Sequence, residues 1–237
     1  FSDPNIFIPL ALRVFRNRFG GDEINRLIDP VFRRAVFLEG YRFLPIQPIP
    51  IVMNTKGASA SGKSTIRPQQ RILSERMKIA WADFALISPD YWRKFLLDYE
   101  SLGSDYKYGA MLTGHELEII DKKLDLYREQ KARKGEMPHL LIDRFRFDSF
   151  QVSKDGNYTS SLLTRFGKRI FLFFVITPPA ETVERAWTRG LSTSRYKAGE
   201  DLLFHNIEAY TGMPELFFSW MAIEDKEINF EFLDNSV

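Results

Sequence analysis

The chain contains no cysteine, so disulfides and thiolate metal sites are excluded and the redox compartment cannot be inferred. Its three histidines, His115, His139 and His205, are too widely spaced for a zinc-ligand pattern, and zinc catalysis is not expected. No uninterrupted apolar run approaches the ~20 residues needed to cross a bilayer. The longest candidate, Ile170 to Ile176, reads as a buried strand, and a soluble protein with no membrane partner is expected. An excess of one charge is also missing. With 33 basic and 31 acidic residues the net charge is +2, so composition implies no broad nucleic-acid-binding surface. There is no internal repeat and no low-complexity tract. The first residue is Phe1 rather than methionine, and a leading segment, with any targeting signal it carried, is expected to have been removed or to be unseen.

What is present argues for a packed α/β globule. Hydrophobic residues make up 44%, enough for a core rather than disorder, and 237 residues suffice for one α/β domain with a small appendage. The 21 phenylalanines point to an aromatic core. The most informative stretch is Gly57-Ala58-Ser59-Ala60-Ser61-Gly62-Lys63-Ser64-Thr65, which fits G-x-x-x-x-G-K-[ST] at every fixed position. Glycines let consecutive backbone amides turn inward, and those amides with the start of the next helix make an anion site. Lys63 would reach the β- and γ-phosphates of ATP, and Ser64 would offer its hydroxyl to Mg²⁺, which prefers hard oxygen ligands. Ile49, Ile51, Val52 and Met53 precede the loop as a strand, and Ile66 to Ala80 follow with helical spacing, which is the order the motif requires.

Upstream, residues 1–45 are read as a helical extension and 46–237 as the catalytic domain. Ile24, Leu27, Ile28, Phe32 and Val36 have helical spacing, and the interleaved Arg13, Arg16, Arg18, Arg26, Arg33 and Arg34 are read as a solvated helix face rather than a nucleic-acid patch. The prolines of residues 44–50 make an extended connector into the first strand.

Downstream, Phe84 to Ile87 reads as a second strand ending at Ser88-Pro89-Asp90. Ligands of open α/β sheets are met at the carboxyl ends of strands, so Asp90 is expected on the active side; the cap of a helix over Tyr91 to Tyr99 is its competing role. Residues 101–110 read as a loop and Thr113 to Lys134 as a long helix. Leu140-Leu141-Ile142-Asp143 is a buried-strand pattern ending in a carboxylate, the context of a group that orders Mg²⁺. Many apolar strands end in Asp, so the strand end alone does not assign that role. Arg144 and Arg146 follow and are expected to face the cleft. Asp155-Gly156-Asn157 reads as a turn. Arg169 to Ile176 is a strand, a helix starts near Ala180, and 192–199 reads as a mobile basic lid. Residues 201–222 read as helix interrupted at Gly212 and Pro214, with a last strand over Ile228 to Leu233. The architecture expected is one parallel-sheet α/β domain of P-loop kinase type, flanked by helices, with a helical N-terminal extension.

A P-loop by itself establishes only phosphate binding. No N-K-x-D element follows it, which disfavours a GTPase, and motor or AAA-type ATPases usually need longer chains. A compact phosphotransferase remains, with Asp90 deprotonating an acceptor hydroxyl while Arg185 and Arg195 clamp the transferred phosphate bidentately. The opposing reading of the two arginines is surface ion pairing.

The order of G-A-S-A-S-G-K-S-T, S-P-D-Y-W-R-K at 88–94, T-G-H-E-L-E-I-I at 113–120, L-L-I-D at 140–143 and T-V-E-R at 182–185 before Arg195 resembles the zeta-toxin family of P-loop kinases, over roughly residues 49–210. The resemblance implies that Asp90 is the catalytic base, with Trp92 and Arg93 completing its motif. It implies further that Glu118, with Glu116 as the register alternative, holds the acceptor, and that Arg185 and Arg195 clamp phosphate; Thr113 and Arg146 are read beside it as further acceptor-binding candidates. ATP and Mg²⁺ are the implied cofactors. The sequence departs from the pattern in having Ser88 where many relatives have an acid, and Arg-Phe after Asp143 where they have Glu-Gly. Typical members phosphorylate the 3′-hydroxyl of UDP-N-acetylglucosamine, whereas a branch resembling plant-pathogen type III effectors phosphorylates the adenosine ribose of NAD. The extension, the proline-rich entry and the altered strand end lean toward NAD. An antitoxin or chaperone-like inhibitor covering the cleft is implied, as is a cytoplasmic location or secretion into a host cell. The rival from another class is an idle nucleotide-binding module that docks partners through its arginine-rich first 40 residues.

Overall fold

Asp3 starts the first helix, α1 (Pro4–Phe15), by accepting the Asn5 amide on its carboxylate at 2.9 Å. Pro4 sits at the first turn, where its missing N–H leaves nothing unpaired. Helical backbone continues through a π segment, Arg16–Gly20, into α2 (Gly21–Leu38). The amides of Gly40 and Tyr41 then turn back onto the Phe37 and Val36 carbonyls. Phe43 packs edge-on against Phe32 at 6.2 Å, with the Arg33 guanidinium 5.1 Å from its ring centre. Residues 1–43 form one compact unit and 44–237 a second. The structure is a computed structural model that describes residues 3–143, 147, 167–193 and 195–236. Arg144, Arg146 and the Asp155–Asn157 turn lie outside the described residues.

The second unit is built on a parallel sheet whose strands, among the described residues, are β1 (Ile51–Lys56), β2 (Phe84–Ile87), β3 (His139–Asp143), β4 (Arg169–Ile176) and β5 (Glu227–Asp234). Their order is β2-β3-β1-β4-β5, and every pairing is parallel. Parallel strands covered on both faces read as continuous apolar runs, which explains why all six residues of β1 and the middle six of β4 are buried. Val52, Leu140, Ile142, Ile170, Leu172 and Phe174 form one face with Ala209, Met213, Leu216 and Trp220 of the last helix. Ile51, Met53, Leu141, Phe171, Phe173 and Val175 form the other with Ile66, and Leu73 packs against it. His139 ties β3 to β1 by accepting the Ile51 amide at Nδ1, 2.9 Å away.

The flanking helices are α3 (Arg67–Arg76), α4 (Gly114–Arg133), α5 (Pro179–Thr193) and α6 (Gly199–Met221). Several sequence expectations are corrected here. The helix after the P-loop begins as a 3₁₀ turn, Lys63–Ile66, and ends at Arg76. Residues Pro89–Phe95 and Glu100–Tyr108 are 3₁₀ segments, where an α-helix and a loop were expected. The expected break at Gly212 and Pro214 is absent, because α6 runs through both. Its buried residues Leu202, His205, Asn206, Ala209, Met213, Leu216 and Trp220 recur at three- and four-residue spacing, so packing overrides local propensity. At Gly212 a Cβ would lie 2.9 Å from the Phe147 ring, which accounts for glycine on that turn.

Candidate active site

β1 lies between β3 on one side and β4 on the other, so the chain leaves its carboxyl end where the winding of the sheet reverses. That is where open α/β sheets bind ligands. The nine-residue loop Gly57–Thr65 fills this position. Gly57 has no room for a side chain: a Cβ would meet Ser61 Oγ and the Val175 carbonyl, each at 2.7 Å. Gly62 adopts φ +89°, and a Cβ there would lie 2.3 Å from Asn235 Nδ2. From behind, Thr177 and Asn235 donate side-chain hydrogen bonds to the Ser61 carbonyl at 2.9 and 2.8 Å. Lys63 curls back to donate to the Gly57 and Ala58 carbonyls at 3.0 and 2.7 Å. Thr65 donates to the Gly62 carbonyl at 2.7 Å, while the Ser64 side chain faces the cleft.

The loop forms one wall of a cleft of about 960 Å³. Ser59, Ala60, Gly62, Lys63, Ser64 and Thr65 line it, whereas Ala58 and Ser61 lie buried beneath and Gly57 forms the turn at the base. Opposite stand Asp90, from the 3₁₀ turn after β2, Glu118 and Asp121 of α4, and Asp143 at the end of β3. Arg185 and Arg189 of α5, Arg195, Lys197 and Asn235 complete it. Thus the structure brings Lys63, Ser64, Asp90, Glu118, Asp143, Arg185 and Arg195 to one cleft. It does not bring Thr113 or Glu116 there. Thr113 is buried and accepts Arg93 Nη1 at 2.6 Å, so it sits behind the cleft wall, and Glu116 is exposed on another face of α4.

Asp90 is held from two sides. Arg93 Nε donates to Oδ1 at 2.9 Å, and Arg195 donates to Oδ2 from across the cleft. Arg93 is itself fixed by the Ala110 carbonyl at 2.5 Å and by Thr113. Burial raises the Asp90 pKa, but the fields of Arg195 and Arg93 outweigh it and hold the carboxyl at about 2. Burial pushes the Lys63 ammonium down to about 8, against the opposing fields of Asp143 and Asp90. Asp143 accepts Arg67 Nη2 at 3.4 Å.

The arginines differ in what they already hold. Arg185 Nη2 donates to Glu181 at 2.8 Å and to the Asn235 carbonyl at 2.7 Å. Arg189 donates through Nη2 to the Arg195 carbonyl at 3.3 Å, and its buried Nε has no partner among the described residues. Burial and the neighbouring Arg195 lower its pKa to about 10. A buried donor without an acceptor, crowded by like charge, is an arrangement that a bound anion relieves. Sequence reasoning missed Arg189, although its i+4 spacing from Arg185 puts both on one helix face. It also missed Lys197, Asp121 and Asn235, none of which lies in a recognisable motif.

Within the 192–199 stretch, which the sequence reads as a mobile basic lid, the structure places contacts at Tyr196. α5 runs to Thr193, and Tyr196 anchors the chain between α5 and α6. Its amide donates to the Lys107 carbonyl at 3.2 Å, and its ring packs edge-on against Trp187 and Tyr108 at 5.6 and 5.7 Å. Tyr106 also donates to the Leu191 carbonyl.

The cleft offers hard oxygen donors at Ser64 and Asp143 beside the phosphate loop, a set suited to Mg²⁺ bound partly by substrate phosphates and water. No group of three or more His, Asp or Glu side chains forms a self-sufficient metal cage among the described residues.

No family model matches the sequence, and no curated protein matches it. Among solved structures, the chain is similar to that of the PezAT chromosomal toxin–antitoxin system of Streptococcus pneumoniae, at 16% identity and a TM-score of 0.49, covering 89% of this chain and 78% of that one. It is also similar to deoxyadenosine kinase from M. mycoides with bound dATP, at 14% identity and a TM-score of 0.42, covering 79% and 91%. With both scores below 0.5, the functional assignment rests on the geometry of the cleft itself.

Proposed function

We propose that this protein is an ATP-dependent phosphotransferase that moves the γ-phosphoryl group onto a ribose or sugar hydroxyl of a nucleotide, with the adenosine ribose 3′-hydroxyl of NAD as the favoured acceptor. The observation that carries the reading is the convergence of Lys63, Asp90, Arg189 and Arg195 on one cleft at the end of β1, although they are scattered over more than half of the chain. The zeta-toxin-like order of motifs supports it and favours a nucleotide acceptor.

In this reading the loop amides and Lys63 hold the β- and γ-phosphates, and Arg189 and Arg195 neutralise the charge on the transferring group. Arg185, tied to Glu181 and Asn235, borders the same phosphates. Ser64 and Asp143 would hold Mg²⁺, which would supply neutralisation of phosphate charge. The triphosphate competes with Asp90 for Arg195. Once Arg195 turns to the phosphate, Asp90 Oδ2 is open and its basicity rises, while Arg93 keeps the carboxylate aimed through Oδ1. The acceptor hydroxyl gives its proton to Oδ2 as its oxygen bonds to the γ-phosphorus; the bond from phosphorus to the β–γ bridging oxygen breaks and ADP departs. Glu118, with Asp121 one turn further on, stands where the acceptor's remaining hydroxyls would be held. Arg146 is assigned to the acceptor by its sequence position just after Asp143 alone, and an antitoxin-like inhibitor would act by covering this cleft.

Incubation with ATP, Mg²⁺ and either NAD or UDP-N-acetylglucosamine, followed by mass spectrometry, tests the assignment. A gain of one phosphoryl group on NAD is expected. Phosphorylation of UDP-N-acetylglucosamine instead would overturn the acceptor, and product formation by Asp90→Asn at the native rate would overturn the base.

A further inference from the structure

The helical run Pro4–Leu38 buries none of its described residues. Along it Ile6, Phe7, Ile8, Leu10, Leu12, Val14, Phe15 and Phe19 are each about half exposed, between 48% and 63%. In α1 these side chains do not make a stripe. Ile8, Leu12 and Phe15 share one face, with the Phe19 ring of the following π segment 5.5 Å from that of Phe15, while Phe7, Leu10 and Val14 share a roughly opposite one. A groove on a partner protein, or the seam of a second copy, covers one stripe of a helix. A helix apolar on all sides is buried either in a large protein core or in lipid, and the charge pattern next to α1 favours lipid.

Charge separates α1 from α2. No acidic residue occurs between Asp3 and Asp22, and Arg13, Arg16 and Arg18 form a cluster at the end of the apolar helix. None of them is paired with a described carboxylate. In α2, by contrast, Arg26 is paired with Glu23 at 2.5 Å and Arg33 with Asp29 at 2.6 Å. The apolar residues Ile24, Leu27, Ile28, Val31, Ala35 and Leu38 lie along a single side of α2. At 1.5 Å per residue α1 is about 18 Å long, well short of the ~30 Å hydrocarbon core. Among the described residues no helix is long and apolar enough to cross a membrane.

We infer that residues 4–38 bind the surface of an anionic lipid bilayer: α1 sinks among the acyl chains, Arg13, Arg16 and Arg18 meet the anionic headgroups, and α2 lies along the interface on its apolar side. This refines the sequence expectation of no membrane partner, which rested on spanning length. It is independent of the phosphotransferase reading, because every residue it uses lies in the first unit.

The test is co-sedimentation of the full chain with vesicles of phosphatidylcholine alone or with about 30% phosphatidylserine. Partition at least roughly tenfold stronger onto the anionic vesicles is expected, weakening in 0.5 M salt. Replacing Arg13, Arg16 and Arg18 together with Gln is expected to lower that partition roughly a hundredfold, and Phe7→Ser with Leu10→Ser to lower it on both vesicles. Unchanged ATP binding by these variants would show that the second unit is intact. Failure to sediment with anionic vesicles, or equal partition onto both kinds unaffected by the arginine changes, would overturn the inference. A dimer in sedimentation velocity that Phe7→Ser and Leu10→Ser dissolve, with vesicles ignored, would overturn it in favour of a second copy.

Discussion

The two halves of the cleft are built in different ways. The half proposed to hold phosphate is largely one run of nine residues, Gly57–Thr65, shaped by its own backbone and braced by Thr177 and Asn235. The half proposed to hold the acceptor is assembled from a turn after β2, two residues of α4 and the end of β3, with Asp90 held on one side by Arg93, which reaches Ala110 and Thr113, and on the other by Arg195. A contiguous loop tolerates the loss of any one distant contact, whereas a relay of side chains passes a displacement along. Arg195 is the exception that joins the halves, since it faces the phosphate loop and yet binds Asp90.

Removing that joint is expected to have the largest effect. Arg195→Ala should lower kcat by about 10³ or more, the scale of a lost phosphate-clamping arginine. It should also raise the pKa of Asp90, because burial then acts with less opposition. The acid limb of kcat/KM would move up from about 2, whereas Arg189→Ala, which removes no hydrogen bond to Asp90, should lower kcat while moving it less. An unmoved limb in Arg195→Ala would mean that the ion pair does not govern the base.

Asp90→Asn separates the halves next. Transfer should fall about 10²–10⁴-fold while the Kd for ATP, measured calorimetrically, stays within a factor of a few. A parallel loss of ATP affinity would show that the two halves are one cooperative unit.

The phosphate half is expected to respond to pH on its own. Lys63 is protonated below about 8 in the free protein, and a bound triphosphate holds the proton more tightly. ATP affinity should therefore be flat below pH 8 and weaken above it, by up to about tenfold per pH unit, with proton uptake on binding. Flat affinity to pH 9.5 would remove Lys63 from the phosphate contact.

Thr113→Val should have the smallest effect and confine it to the acceptor half. It leaves Arg93 Nη1 without one acceptor, which costs about 1–3 kcal/mol of stability by denaturant unfolding. It should lower kcat with the KM for ATP unchanged. If Thr113 instead touches the acceptor, the acceptor KM rises and stability is kept.

The phosphate half was legible in the sequence because its geometry is set by local chemistry. A glycine where no Cβ fits, a glycine in left-handed backbone and a lysine next to it can all be read from one short string. The apolar runs of β1, β3 and β4 were legible for the same reason, since strands buried on both faces need no partner to reveal them. The acceptor half was only partly readable. Asp90 and Asp143 announced themselves as carboxylates ending apolar strands, and Glu118 was distinguished from Glu116 only by the way α4 turns toward the cleft. The packing of Tyr196 was not legible, because its ring contacts, Trp187 and Tyr108, lie 9 and 88 positions away along the chain.

The sequence by itself determined the parallel α/β core, the phosphate loop and the strand-end carboxylates, because each depends on residues adjacent along the chain. Tertiary structure alone decided that Arg189 keeps a buried nitrogen unpartnered among the described residues, that Arg195 reaches Asp90 across 105 positions, and that Asn235 braces the Ser61 carbonyl across 174. Such contacts depend on strand order and helix rotation, which are set by the packing of the whole sheet and leave no local mark in the sequence.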